Sequence, residues 1–201
     1  MKVLQILAVG LASAFSASAA LCKPSPPAPS ASSVSSVASS SPSPSTPATP
    51  QPICIRNVVT NSYFDAGSLD GWTLTQFNGG TVTGASGTCG QFSTCVLLDT
   101  VTGGYVGLSQ TVSNTGVGLI YTFTFNYRAI ATLSSDAILV CQINGGAGGL
   151  SWSWTADSIP VSGWGYFMTA FAAPTTSLTV NCALSGSYEN KVQLDYFNLN
   201  C

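Results

Sequence analysis

The sequence predicts an all-β chain folded as a β-sandwich of the jelly-roll type and stapled by disulfides. Three observations predict it. Short runs rich in Val, Thr, Tyr and Phe recur from position 55 to the C-terminus, separated by clusters of Gly, Ser, Asn and Asp. No segment carries a convincing helical period. The chain holds seven cysteines behind an export-type leader, which fits an oxidising compartment.

The leader comes first. Lys2 supplies a positive start, Val3–Phe15 is mostly apolar, and Ala17-Ser18-Ala19 offers the small residues a signal peptidase cuts after, so 1–20 reads as a signal peptide. The apolar run is shorter than the about twenty residues a membrane helix needs, and no second run follows. The expectation is a secreted protein, extracellular or associated with a cell wall, with no membrane partner. Residues 21–52 are almost entirely Ser, Pro, Ala and Thr. They lack the apolar residues for a core and read as a disordered linker, O-glycosylated on its hydroxyls. At about 3.1 Å per residue the stretch Lys23–Pro52 reaches roughly 90 Å.

The folded domain is expected at 53–201. Its predicted strands are Ile55–Thr60, Trp72–Phe77, Thr81–Thr83, Thr94–Asp99, Tyr105–Val112, Tyr121–Ala131, Ala137–Asn144, Leu150–Thr155, Gly165–Ala172, Leu178–Leu184 and Val192–Leu199. Alternation assigns their faces. Tyr121, Phe123, Phe125 and Tyr127 share one side of their strand, with Thr122, Thr124, Asn126 and Arg128 on the other. The closing strand breaks this alternation, because Leu194 and Phe197 are three apart while Phe197 and Leu199 are two apart. A bulge at Asp195–Tyr196 restores the phase and turns the Asp195 carboxylate away from the ladder, in need of a partner.

Charge excludes several functions. Only five Lys and Arg and seven Asp and Glu occur, and charged residues make up 6% of the chain. Scattered cations cannot neutralise a phosphate backbone, so nucleic acid is no partner. A surface built from hydroxyls and amides suits a neutral polymer such as a polysaccharide. With no histidine, neither a Ser-His-Asp nor a Cys-His arrangement can form. Glycoside hydrolysis needs two carboxyl groups at a set separation, and no motif surrounds any pair, Asp99 with Asp136 included. The expectation is a non-enzyme.

Six cysteines fall in the domain and allow fifteen pairings. The preferred set is Cys89–Cys95, closing a short loop, Cys141–Cys182, joining two similarly patterned strands, and Cys54–Cys201, joining the ends. Cys22 is left over, either free or an intermolecular thiol, on an otherwise monomeric protein.

Two motifs at opposite ends of the domain carry a family resemblance. Asn61–Leu74 reads N-S-Y-F-D-A-G-S-L-D-G-W-T-L, and Val192–Leu199 reads V-Q-L-D-Y-F-N-L. Together they resemble the first and last strands of the CenC-like, family 4/9 carbohydrate-binding modules, which are galactose-binding-domain-like jelly rolls. G-L-S-Q-T-V at Gly107–Val112, Y-T-F-T-F-N-Y-R-A at Tyr121–Ala129 and W-G-Y-F-M-T-A-F at Trp164–Phe171 extend the resemblance across the domain. The linker is of the style of secreted fungal proteins. The resemblance implies a structural calcium held by Asp65 and Asp195 with backbone carbonyls completing an oxygen shell. Arg56 or Lys191 neutralising one of these aspartates is the alternative. In the family the opening acid is more often Glu, one methylene longer than Asp65.

For the ligand itself, sugars call for aromatic rings and planar polar groups. Trp152 and Trp154 lie two apart on one strand face, opposite Ser151 and Ser153. A groove is expected from this pair with Asn126, Arg128, Gln142 and Asn144, and with Tyr188 at its rim. The same Trp spacing equally fills a core, as Trp72 and Trp164 are expected to do. The function expected is a secreted non-catalytic module for a neutral polysaccharide of the cell-wall glucan type. The alternative is a wall or extracellular structural protein without a working groove.

Overall fold

The structure is a computed structural model and describes residues 54, 56–145 and 149–201. The expected signal peptide, the linker and Cys22 lie outside the described residues. Ten strands form: β1 (Thr73–Phe77), β2 (Thr81–Ser86), β3 (Thr94–Thr100), β4 (Tyr105–Ser113), β5 (Ile120–Ala129), β6 (Ile138–Asn144), β7 (Leu150–Thr155), β8 (Gly165–Ala172), β9 (Ser177–Ser185) and β10 (Asn190–Asn200). They make two antiparallel five-stranded sheets packed face to face. Sheet A has the order β1-β4-β9-β6-β7, and sheet B the order β2-β3-β10-β5-β8. This is the predicted all-β sandwich.

The alternation read from the sequence sets the core. Tyr121, Phe123 and Phe125 of β5 are fully buried between the sheets. Leu139, Cys141 and Ile143 of β6 face them from sheet A, also buried. In β10 the register against β5 slips between Asp195 and Asn198, and Tyr196 takes a left-handed backbone with φ of 59°. The inferred bulge is therefore present, and it buries Leu194, Phe197 and Leu199 together. Phe197 stacks on Phe125 at 5.4 Å between centroids and meets Trp72 at 5.0 Å. Trp72 is the packing residue it was expected to be.

The predicted first strand at 55–60 does not form among its described residues. Asn57 adopts a φ of 31°, which turns the chain out of an extended ladder. Its side chain substitutes for the ladder, with Asn57 Oδ1 accepting from the Leu199 N–H at 3.2 Å. Gln110, buried on the inner face of β4, holds the same segment. Its Oε1 accepts from Thr60 N–H at 2.7 Å, and its Nε2 donates to the carbonyls of Thr60 and Gly71, each at 3.1 Å. Side-chain amides thus satisfy backbone groups that a strand would have paired.

The three disulfides are the preferred set: Cys54–Cys201, Cys89–Cys95 and Cys141–Cys182. Cys141 and Cys182 are direct cross-strand partners on β6 and β9, with Cα atoms 4.1 Å apart. Among the described residues, no helix is long and apolar enough to cross a membrane.

Candidate functional site

The pairing in sheet A brings five strands' outward residues into rows. One row runs Phe77, Tyr105, Ser185, Ile138, Thr155; the next Thr75, Gly107, Ala183, Val140, Ser153; the third Thr73, Ser109, Asn181, Gln142, Ser151. Gly107 and Ala183 form a low floor. A Cβ added at Gly107 would lie 2.9 Å from the Cys182 carbonyl oxygen and 3.0 Å from the Ala183 Cβ, so the close approach of β4 to β9 requires glycine here. Higher side chains stand around this floor. Tyr105, Val140, Gln142, Asn181, Ala183 and Ser185 line a depression of about 240 Å³.

The rings and amides of this face are positioned by different means. Phe77 and Tyr105 are cross-strand partners at the ends of β1 and β4, and they stay 59% and 37% exposed. Exposed aromatic faces at a strand end are available for stacking on the C–H face of a sugar ring. Gln142 and Asn181 are cross-strand partners, each next in sequence to a cysteine of the Cys141–Cys182 bridge. The bridge lies on the inner face and rivets β6 to β9, so the two amides stand side by side on the outer face. Gln142 Nε2 reaches Ser151 Oγ at 3.4 Å. None of the seven carboxylates falls in these three rows.

The residues singled out from the sequence fall in four places. Gln142 and Asn144 lie on this outer face of sheet A. Tyr188 stands exposed in the β9–β10 loop, three residues beyond Ser185 at the Tyr105 end. Trp152 and Trp154 do not join them. Both turn inward from β7: Trp152 packs on Phe167 at 5.1 Å, and Trp154 on Phe125, Tyr127 and Phe167 at 5.5, 5.3 and 5.1 Å. They close the open side of the core, and Ser151 and Ser153 are the outward residues. Asn126 and Arg128 belong to β5 and point out of sheet B, on the opposite side of the sandwich. Arg128 is committed there, donating to Gln193 Oε1 at 2.7 Å and to the Thr88 carbonyl at 3.0 Å, with its guanidinium 4.9 Å above the Trp164 ring. A single groove from all these residues is therefore not assembled.

Sequence reasoning missed Phe77, Tyr105 and Asn181. Each shows the outward parity of its strand, which is a usable signal. That they share a face depends on which strands are neighbours.

Asp195 lies on the outer face of sheet B, opposite Asn126. It is 2% exposed, and its Oδ1 has no hydrogen-bond partner. Desolvation pushes its carboxyl up to about 6, opposed in part by the Tyr196 backbone N–H. Of the two cations considered as its partner, Lys191 is engaged elsewhere, pairing with Asp99 at 3.5 Å and Glu189 at 2.6 Å. Asp65 is exposed, in the short 3₁₀ turn Asp65–Gly67. Tyr63 lies 4.9 Å from Tyr196 between ring centroids. Its hydroxyl is raised by a hydrogen bond with Tyr196, by burial and by the negative charges of Asp195 and Asp65, so both carboxylates act on one side chain. Among the described residues no group of three or more His, Cys, Asp or Glu gathers as a metal site. An oxygen shell here would be two carboxylates plus carbonyls. The orphaned Asp195 oxygen fits such a shell.

No family model matches the chain, and no curated protein is similar to it in sequence. Solved structures share its fold. TmCBM61 in complex with β-1,4-galactotriose matches with a TM-score of 0.57 at 16% identity, over 72% of this chain and 98% of that one. The CBM22-1 xylan-binding domain from Paenibacillus barcinonensis Xyn10C matches at 0.52 and 15%, over 76% and 97%. The arabinose-bound α-L-arabinofuranosidase MgGH51 matches at 0.51 and 13%, over 72% of this chain but only 26% of that one. This chain shares the two-sheet β-sandwich fold of these structures.

Proposed function

We propose that this protein is a secreted, non-catalytic carbohydrate-binding module that holds a neutral polysaccharide of the cell-wall glucan type on the outer face of sheet A. The observation that carries the reading is the composition of that face: paired amides and hydroxyls around a Gly107–Ala183 floor, with Phe77 and Tyr105 exposed at one end. Amides and hydroxyls match the in-plane hydroxyls of a pyranose, and rings match its C–H faces. That no carboxylate falls in these rows supports binding over hydrolysis as the task of this face. The oligosaccharide and xylan ligands named for the structural neighbours support a glycan as the ligand class.

Asp195, with Asp65 and backbone carbonyls, would hold a structural calcium on the other side of the sandwich. The ion would neutralise a buried carboxylate and tie the closing strand to the opening turn, away from the sugar. The leader at 1–20 and the Ser/Pro/Thr-rich segment at 21–52 support export and display on an O-glycosylated stalk.

The test is retention of the full chain on insoluble β-glucans and xylans, together with a soluble glycan array. Tyr105→Ala and Gln142→Ala are expected to weaken binding about tenfold or more each, about 1.4 kcal/mol, with unchanged thermal unfolding. No retention on any polysaccharide, or retention indifferent to both variants, removes the reading.

A further inference from the structure

Strand β8 is an edge of sheet B, and among the described residues only β5 pairs with it. At eight residues it is the longest of the four edge strands, against five for β1 and six each for β2 and β7. Natural edges are blunted by charge, proline or a bulge. Gly165–Ala172, G-Y-F-M-T-A-F-A, has none of these, and its pairing with β5 is unbroken. Its outward residues are apolar: Tyr166 is 58% exposed and Met168 63%, followed by Ala170 and Ala172. Ile120, the β5 partner of Ala172, is also exposed.

The order of these residues identifies the occupant. Antiparallel pairing of β8 with a second β8 about a two-fold axis through Thr169 sets Tyr166 opposite Ala172 and Met168 opposite Ala170. Large side chains then face small ones on the outer side, and Phe167 faces Phe171 on the inner side. Tyr166 of the second copy falls in one row with Ala172 and Ile120, two strand spacings or about 10 Å from Ile120, and the small Ala172 between them leaves room for its ring. No charge opposes a like charge anywhere along the seam.

We propose that a second copy of this chain docks along β8, joining two B sheets into one ten-stranded sheet. The unpaired backbone groups of each edge become each other's partners, and the interface is isologous. The expected monomer is then the dissociated form. A two-fold axis normal to an antiparallel sheet keeps both A sheets on the same side. This consequence rests on the proposed function: the two candidate glycan faces point the same way and can engage one polysaccharide surface together.

The experiment is sedimentation of the full chain in a Cys22→Ser background, so that a dimer through that thiol is not counted. The mass is expected to double with rising concentration. Met168→Lys and Ala170→Glu, both on the exposed face, each abolish the dimer at the same concentrations and leave the circular dichroism unchanged. Mixing the two variants restores it, because the introduced lysine faces the introduced glutamate across the axis. A monomer at every concentration overturns the proposal, as does a dimer that both variants leave intact or an open series of larger species. A second measurement reads the avidity: retention of Met168→Lys on an insoluble polysaccharide falls about a hundredfold relative to the dimer. Failure of the protein to bind any polysaccharide leaves the sedimentation result standing, so the two readings fail separately.

Discussion

Lowering the pH from about 7 to about 5 in the presence of a chelator is expected to stabilise this protein, the reverse of ordinary acid destabilisation. Asp195 is the cause. Its carboxyl is 2% exposed, lacks a partner for Oδ1, and is raised by desolvation from 3.8 to about 6. Between about pH 4 and pH 6 the folded chain keeps a proton on Asp195 that the unfolded chain releases. Stability therefore falls as pH rises through that window and levels off above it. A tenfold change in acidity corresponds to about 1.4 kcal/mol, so the whole displacement is on the order of 3 kcal/mol. Close to half of it, about 1.4 kcal/mol, falls between pH 5 and 7. That is roughly 3 to 6 °C in Tm for a domain of this size. The chain has no histidine, and Asp136, lowered to about 2 mainly by hydrogen bonds from Ser187 and Ser134, contributes stability that is complete above about pH 4 and lost only below it. Glu189, lowered by its hydrogen bond with Lys191, works against Asp195 at the acid end of the window, its stabilisation fading as pH falls below its ordinary 4.5, and it is nearly constant between about pH 5 and 7. The assay is urea unfolding at several pH values with chelator, with calcium, and in Asp195→Asn. Calcium is expected to abolish the fall by favouring the carboxylate, and the Asn variant to show none in either condition. Stability that is level or rises from pH 5 to 7 with chelator would refute the buried, unpartnered carboxylate.

Trp154→Ala is expected to destabilise the domain by about 3 kcal/mol, at the low end for an aromatic deletion because the ring is only half-buried; denaturant midpoints measure it, and a purely glycan-binding loss at full stability would contradict the inward packing. Gly107→Val should raise the floor of the sheet A depression and crowd the Cys182 carbonyl, costing about 1 to 3 kcal/mol. Polysaccharide retention should fall with it, and unchanged retention would move the glycan away from β4.

Much of the architecture was legible in local pattern. The alternation in Tyr121–Tyr127 marks the buried face of β5 because side-chain direction has a period of two, whatever the strand's neighbours. The bulge at Asp195–Tyr196 was legible for the same reason, since three apolar residues out of phase cannot all be buried without an extra residue. The 55–60 segment misled because its apolar residues look strand-like, while the turn at Asn57 and the clamp from Gln110 depend on residues far along the chain. Trp152 and Trp154 share one face as expected. Which face looks inward was not legible, because serines opposite tryptophans suit a solvent-facing edge as well as a poor core.

By itself the sequence determined the fold class, the bulge in the closing strand and the exclusion of histidine-based chemistry, while among fifteen cysteine pairings it gave a preference that the structure then selected. These follow from periodicity, residue type and count. Only the tertiary structure decided that Asn126 and Arg128 lie on one outer face while Gln142 lies on the other beside Asn181. It alone placed Phe77 next to Tyr105, and among the described residues left β8 as an edge paired on one side. Those relations are set by the strand order β1-β4-β9-β6-β7 and β2-β3-β10-β5-β8. Strand order arises from long-range pairing, in which each strand's neighbours are chosen by packing over the whole core, and no local run of residues encodes it.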